Sequence, residues 1–254
     1  MKEKLKKIKL AKYSVVILKA LRRQRSIFAT IVRLQDFFGD YRKYQKLKSN
    51  PAQKLHHEDL YPRIWDKTQS HETDPIYLIQ GCWCARKVFE HKPANHVDIA
   101  SQALMVGIIA GFTPTTMVDL RPLCTPIPGL VFKEGNIMNL PFANESVESL
   151  SSICVIEHIG LGRYGDPLDQ YGTEKSAQEL IRILKPGGNL YISVPVDNEN
   201  KTYFNAHRAF TRDFIVTLFK TLNLVEEQYI YGHDTFQNYD KNKGFGTGLF
   251  HFTK

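Results

Sequence analysis

The sequence predicts an α/β protein: a doubly wound, mostly parallel sheet of seven strands, with a basic helical extension at its N-terminus. Two observations predict the sheet. From about residue 95, short apolar runs alternate with stretches of helical spacing, the pattern of parallel strands joined by right-handed helical crossovers. Several of those runs are almost continuously apolar, as strands covered on both faces are. A third observation sets the extension apart. Residues 1–50 hold 15 Lys and Arg against 3 Asp and Glu, a net +12 in a chain whose total is +8. The remainder is therefore −4, and the basic character belongs to the N-terminal segment alone.

HVDIA at 96–100 reads as the first strand, ending in Asp98. SQALMVGIIAGF follows with helical spacing, Leu104, Ile108 and Ile109 forming its apolar face. TTMVDL is a second strand reaching Asp119, and LVFKEGNI, after a Pro-rich connection, is a third with Asn136 at its end. SLSSICVIEHI is a fourth, uninterrupted run. KSAQELIRILKPGG reads as a helix stopped by Pro186 and the two glycines after it, and NLYISVPV as the fifth strand. TRDFIVTLFKTL is a helix with Thr211 as its N-cap and Asp213 in its first turn. LVEEQYIYG and GTGLFHFTK close the chain as two strands joined by a loop, expected as an antiparallel hairpin at the sheet edge.

Residues 1–50 are expected to form one or two basic amphipathic helices, because Val15, Leu18 and Leu21, then Phe28, Ile31, Val32 and Gln35, partly follow helical spacing. The apolar run Val15–Leu18 is far too short to cross a bilayer, and no small-residue cleavage site follows a long apolar core. Contact with an anionic membrane surface or lipid-linked substrate fits this segment, and so does a solvated arm packed on the domain or on a second subunit. No nucleic-acid partner is expected, since basic charge alone is weak evidence for one. Residues 51–94, rich in His and aromatics, are expected as a cap or lid with Asp66, Lys67 and Asp74 near its rim. No His pair there combines i, i+4 spacing with a placed acid, so no metal is expected. Cys82 and Cys84 lack the two-residue spacing of a zinc or redox pair. With Cys124 and Cys154 they read as reduced thiols, which fits a cytoplasmic setting.

In such sheets the ligand lies beyond the carboxyl ends of the strands, where the strand order reverses. The candidate site is therefore Asp98, Asp119, Asn136, Glu157, His158 and the segment after Pro195. An acid ending the second strand suits ribose hydroxyls, because a carboxylate accepts two hydrogen bonds in a fixed geometry. The stretch EHIGLGRYGDPLD adds an Arg fork suited to carboxylate or phosphate at Arg163 and a ring suited to stacking on a sugar at Tyr164.

GNIMNLPFANESVESLSSICVIEHI followed by KSAQELIRILKPGGNLYISVPV has an LPF turn, a strand ending in an acidic-His pair, and a helix ending LKPGG. With the order of the elements, this resembles the class I S-adenosylmethionine-dependent methyltransferases. More narrowly, DKT at 66–68, DP at 74–75, HVDIAS, DLRP, EHIGLGRYGDPLD and FNAHR resemble an uncharacterised methyltransferase-like family, often associated with bacterial surface-polysaccharide synthesis. The likeness runs from about residue 56 to the end and makes 95–254 the methyltransferase-like domain. It implies methyl transfer from S-adenosylmethionine to a hydroxyl of a glycan or glycolipid precursor, in the cytoplasm or peripherally at the inner membrane face. It implies a cofactor site at Asp98, Ser101, Asp119, Asn136, Ile137 and Glu157. For such a transfer His158 is the first candidate base, followed by Asp166 and His207, with Arg163, Tyr164 and Arg208 as substrate-binding groups.

One segment departs from the pattern. Class I enzymes usually place acid-x-Gly-x-Gly after the first strand, where glycine lets the backbone approach the cofactor. Here Asp98-Ile99-Ala100-Ser101-Gln102-Ala103 holds no glycine before Gly107. Either the cofactor binds in a shifted pose with Ser101 supplying a hydroxyl, or the site has lost it. Three function classes stay open: a methyltransferase, an inactive methyltransferase-like binding or scaffold protein, and another transferase on the same fold, for example one using a nucleotide sugar.

Overall fold

The alternating apolar runs form one eight-stranded mixed sheet, in the spatial order β3 (Leu130–Glu134), β2 (Thr115–Asp119), β1 (His96–Ile99), β4 (Val147–Ile153), β5 (Leu184–Val196), β10 (Gly246–Thr253), β8 (Asn223–Tyr231) and β9 (Asp234–Phe236). The structure is a computed structural model and describes residues 27–48, 52–53, 55–69, 71 and 73–254. The expected helical spacing at Val15, Leu18 and Leu21 lies outside those residues. The chain divides into two compact units, Met1–Glu72 and Thr73–Lys254, which share the segment 51–94 between them.

In the first unit α1 (Ile27–Gln45) carries the spacing seen at Phe28, Ile31, Val32 and Gln35. Its Arg33 donates to the Ile64 carbonyl at 3.1 Å and lies 4.6 Å from the centre of the Trp65 ring. Asp40 sits between Lys43 and Lys67 at 3.2 Å each.

In the second unit β1 (His96–Ile99), β2 (Thr115–Asp119), β3 (Leu130–Glu134), β4 (Val147–Ile153) and β5 (Leu184–Val196) are mutually parallel. The expected antiparallel pairing of the last two long strands is present, β10 (Gly246–Thr253) running against β8 (Asn223–Tyr231), but β10 is inserted between β8 and β5 instead of lying at the edge. The edge is β9 (Asp234–Phe236), which turns back on β8 and raises the strand count from the expected seven to eight. The sequence between Tyr231 and Gly246 is polar and short of apolar residues, so its three-residue strand left no periodic signal. A separate two-stranded ribbon, β6 (Lys201–Tyr203) with β7 (His207–Ala209), rises after β5 and was likewise not expected.

Helices cover both faces. α2 (Pro75–His91) is capped by Asp74, whose carboxylate accepts from the Ile76 and Tyr77 amides, and Pro75 opens its first turn. α2 and α3 (Ala103–Ala110) bury Trp83, Cys84, Val88, Met105, Val106 and Ile109 against one face. The buried side of α3 is thus Met105, Val106, Ile109 and Ala110, whereas Leu104 and Ile108, expected inside with Ile109, are exposed. A helix that is apolar all round gives no period from which to read its inner face. α4 (Gly172–Ile183) and α5 (Arg212–Leu218) pack Leu180, Ile183, Ile215 and Phe219 on the other face. Each such buried side chain contributes about 1.5–3 kcal/mol. α4 ends at Ile183, before Pro186, because Leu184 is already extended and the LKPGG segment joins β5. Thr211 caps α5 as expected, accepting from the Phe214 amide at 3.3 Å.

The seam between β1 and β4 is polar yet buried. His96 meets the Ser149 hydroxyl at 2.8 Å and the Ser151 hydroxyl at 2.9 Å, and Ser151 donates to Asp98. Burial pushes His96 down to about 3, so the ring is neutral. These bonds fix the register Asp98↔Ser151 at the point where the strand order reverses, directly beneath the candidate site.

Candidate functional site

A cleft opens at the carboxyl ends of β1, β2 and β4, with about 550 Å³ of space free of protein atoms, part of it open to solvent. Its place at the strand-order reversal is where open α/β sheets bind ligands. Its walls include Ile99, the last residue of β1, with Ala100 after it; Asp119, the last residue of β2, with Arg121 beyond it; Ile137 beyond β3; and Cys154, His158, Tyr164 and Asp166 beyond β4.

The turn after β1 is shaped as a glycine turn without a glycine. Ala100 has φ 56°, in the left-handed region, and its amide donates to the Val118 carbonyl at 2.8 Å. Asp98 is fully buried below this turn, accepting from the Ser101 amide at 3.0 Å and from Ser151. Burial pushes its carboxyl up to about 6. Ser101 accepts at its hydroxyl from the Ile153 amide at 2.9 Å and so ties the turn to the end of β4. Neither Asp98 nor Ser101 lines the cleft; both act from beneath it. Asn136 is similarly absent from the walls, its side-chain oxygen taking the Met138 amide at 2.9 Å in a local turn that presents Ile137.

Asp119 does face the cleft, with Arg121 folded onto it. The Arg121 amide donates to Oδ1 at 2.9 Å, and the guanidinium reaches Oδ1 at 3.4 Å and Oδ2 at 3.2 Å. The same guanidinium lies 4.5 Å from the centre of the Tyr164 ring, and Arg163 lies 5.0 Å from it. Arg121 therefore bridges the loops after β2 and β4 across the mouth. Sequence reasoning passed over Arg121, although DLRP marked it; a basic residue two after the acid was the available signal.

The loop after β4 is organised by Asp166. Its Oδ2 accepts from the amides of Gly160 at 2.7 Å and Gly162 at 3.3 Å, and its Oδ1 from Tyr164 at 3.2 Å. At Gly160, with φ 84°, a Cβ would stand 1.9 Å from the Asp169 carbonyl oxygen, so only glycine fits. Asp166, expected as a second base, thus spends its carboxylate on the loop backbone. Arg208, expected at the substrate, is 9% exposed and donates to the carbonyls of Ile159 at 2.6 Å and Asp169 at 3.1 Å. Its guanidinium is committed to main-chain oxygens, and Arg208 lines a separate concavity with Gly160, Leu168 and Phe204 rather than this cleft.

His158 has defined chemistry. Its Nδ1 lies 2.7 Å from the Ala206 carbonyl, which can only accept, so Nδ1 carries the proton and Nε2 keeps the lone pair. Arg163 Nη1 donates to the same carbonyl at 2.8 Å. Burial, aided by the Arg163 and His207 charges, lowers His158 to about 4, which leaves it neutral near pH 7. Nε2 stands 3.6 Å from Oε1 of Glu157, a 1%-exposed carboxyl whose Oε2 has no partner. Burial pushes Glu157 up to about 8, so it is an uncharged acid beside an uncharged base. Glu157 does not line the cleft and supports it from behind. His207 also stays off the walls, its ring 6.4 Å from His158 and 5.6 Å from Phe245, and burial lowers its pKa. Cys154, another wall residue missed in the sequence, has φ 54° and directs its thiol to Gln80 at 3.1 Å. Burial pushes that thiol up, so it is no nucleophile.

The fold is the Rossmann-like fold of S-adenosylmethionine-dependent methyltransferases. A family model described as Caenorhabditis protein of unknown function, DUF268, matches residues 137–242. A search of curated proteins found no match to the chain. Among solved structures, the [4+2]-cyclase SpnF matches with a TM-score of 0.54 and 10% identity, over 72% of this chain and 85% of that one. A sarcosine dimethylglycine methyltransferase assigned in Galdieria sulphuraria matches at 0.52 and 13%, over 72% and 91%. The N-methyltransferase NodS from Bradyrhizobium japonicum WM9, solved with S-adenosyl-L-homocysteine, matches at 0.52 and 14%, over 72% and 89%. At such identities the likeness is one of fold.

Proposed function

We propose that the cleft binds S-adenosylmethionine and that the chain transfers its methyl group to a hydroxyl of a glycan or glycolipid precursor in surface-polysaccharide synthesis, at the cytoplasmic face of the membrane. One observation carries the reading: a single cleft at the strand-order reversal holds an acid from the end of β2 and a neutral imidazole after β4. The donor set suits the cofactor. Asp119 offers a carboxylate for ribose hydroxyls, Ile99, Ile137 and Val155 offer apolar wall, and the left-handed turn at Ala100 follows the course a glycine loop would take. When bound, the cofactor supplies an electrophilic methyl group on a sulfonium centre.

The protein's own groups do the remainder. An acceptor sugar would stack on Tyr164, a wall of the cleft, and be anchored by Arg163, which lies beside that ring. His158, fixed by Ala206, takes the acceptor's hydroxyl proton at Nε2. Glu157 and the cleft walls keep bulk water from that ring. Positioning of the two reactants supplies most of the acceleration.

A second reading, ligand binding without methyl transfer, is favoured by Arg121 on Asp119 and by the methyl group at Ala100. SpnF, a [4+2]-cyclase of the same fold, illustrates that the fold does not fix the reaction. Incubation with methyl-labelled S-adenosylmethionine and glycan, lipid-linked and nucleotide-sugar fractions separates the two. Label in a carbohydrate fraction, reduced roughly 10²–10⁴-fold by His158→Asn, supports transfer. Cofactor binding with no label in any fraction replaces it by the second reading.

A further inference from the structure

Helix α1 buries no residue, although Ile27, Phe28, Ile31 and Phe38 are large and apolar and are 80, 76, 50 and 44% exposed. Ile27, Ile31, Leu34 and Phe38 recur at steps of four, three and four residues and so share one face, with Phe28 flanking it. Arg33, Asp36, Asp40 and Lys43 follow the same steps on the opposite side. That side is occupied within its own unit: Arg63, Ile64 and Lys67 line a concavity with Arg33, Asp36 and Asp40. Asp40 is neutralised there by Lys43 and Lys67, and burial plays little part in it. The apolar row thus carries no acidic group, and the acids lie behind it.

Charge selects the occupant. The residues ahead of α1, 1–26, contain ten Lys and Arg and one Glu, and Arg42, Lys43, Lys46 and Lys48 follow at its other end. An apolar helix face bracketed by basic clusters matches the interface of an anionic bilayer, where apolar side chains enter the acyl boundary and cations meet headgroups. A nucleic acid would satisfy the cations and leave the Ile and Phe row in water. We propose that α1 lies in the plane of an anionic phospholipid surface, with Ile27, Phe28, Ile31 and Phe38 inserted. Among the described residues no helix is long and apolar enough to cross a membrane. This inference does not depend on methyl transfer.

Co-sedimentation of the full chain with vesicles tests it, using phosphatidylcholine alone and phosphatidylcholine mixed with phosphatidylglycerol. Binding should favour the mixed vesicles by roughly ten-fold or more and weaken as salt is raised. The combined substitution Ile27→Glu, Ile31→Glu and Phe38→Glu should reduce that binding roughly ten-fold while circular dichroism and elution volume stay unchanged. Equal binding to both vesicle types, or undiminished binding by the variant, would overturn the proposal. A wild-type dimer that the variant converts to monomer would overturn it too, and would make the row a contact between copies.

Discussion

Ala100 holds a left-handed backbone with a side chain that disfavours it, at the turn where the cofactor's approach would be closest. The conformation costs an alanine about 1 kcal/mol relative to glycine, part of which the greater freedom of glycine in the unfolded chain offsets. Ala100→Gly should therefore raise stability by at most about 0.5 kcal/mol, read as a slightly higher urea midpoint; a lower midpoint would mean that the methyl group packs against the cleft wall more than the turn resists it. Glu157 gives a second residue-level test. Its folded pKa of about 8 lies above its ordinary value of 4.5, so between those values only the folded state keeps the proton and stability falls as pH rises. His158 and His251, both lowered to about 4, act in the opposite sense between about 4 and 6.5. The window from pH 6.5 to 8 isolates Glu157, and stability should drop there by about 1–2 kcal/mol. Glu157→Gln should flatten that slope. A wild-type curve that is already flat would show the carboxyl ionised in the folded protein.

Among the elements, the loop after β4 depends on Asp166 for three backbone partners. Asp166→Ala should destabilise the protein by about 2–3 kcal/mol, because charge-assisted bonds to buried amides are lost. A variant of native stability with abolished transfer would restore Asp166 to the role of base. This loop also marks how far the sequence could be read. Its glycines and the DP turn announced a shaped loop, and the apolar run before it announced β4. That the carboxylate would turn inward to Gly160, Gly162 and Tyr164 was invisible, because an Asp in a glycine-rich turn reads the same whether it faces ligand or backbone. Asp98 and Ser101 were legible as the end of a strand and its turn. Their burial under the turn depends on Ser151 and Ile153, which lie some fifty residues away in sequence and carry no local signal. β10 was legible as a strand but not as one inserted between β5 and β8, since pairing order is a property of the whole sheet.

For the whole molecule, both hydrophobic clusters lie entirely within the second unit, from Ile76 to Phe252. A chain starting at Thr73 should therefore fold alone and keep a cooperative urea transition. A broad, non-cooperative transition would show that the sheet needs the first unit. The sheet in turn creates the site: Asp119 and His158 converge only because β2 and β4 flank the reversal at β1. The central claim, that this cleft is an S-adenosylmethionine site, is tested most directly by calorimetric titration with S-adenosylhomocysteine, on the wild type and on Asp119→Ala. The account predicts saturable binding at a single site, weakened roughly ten-fold or more by the substitution, as expected when a charged hydrogen-bond acceptor is lost. No heat at saturating ligand, or equal affinity in the variant, would contradict it.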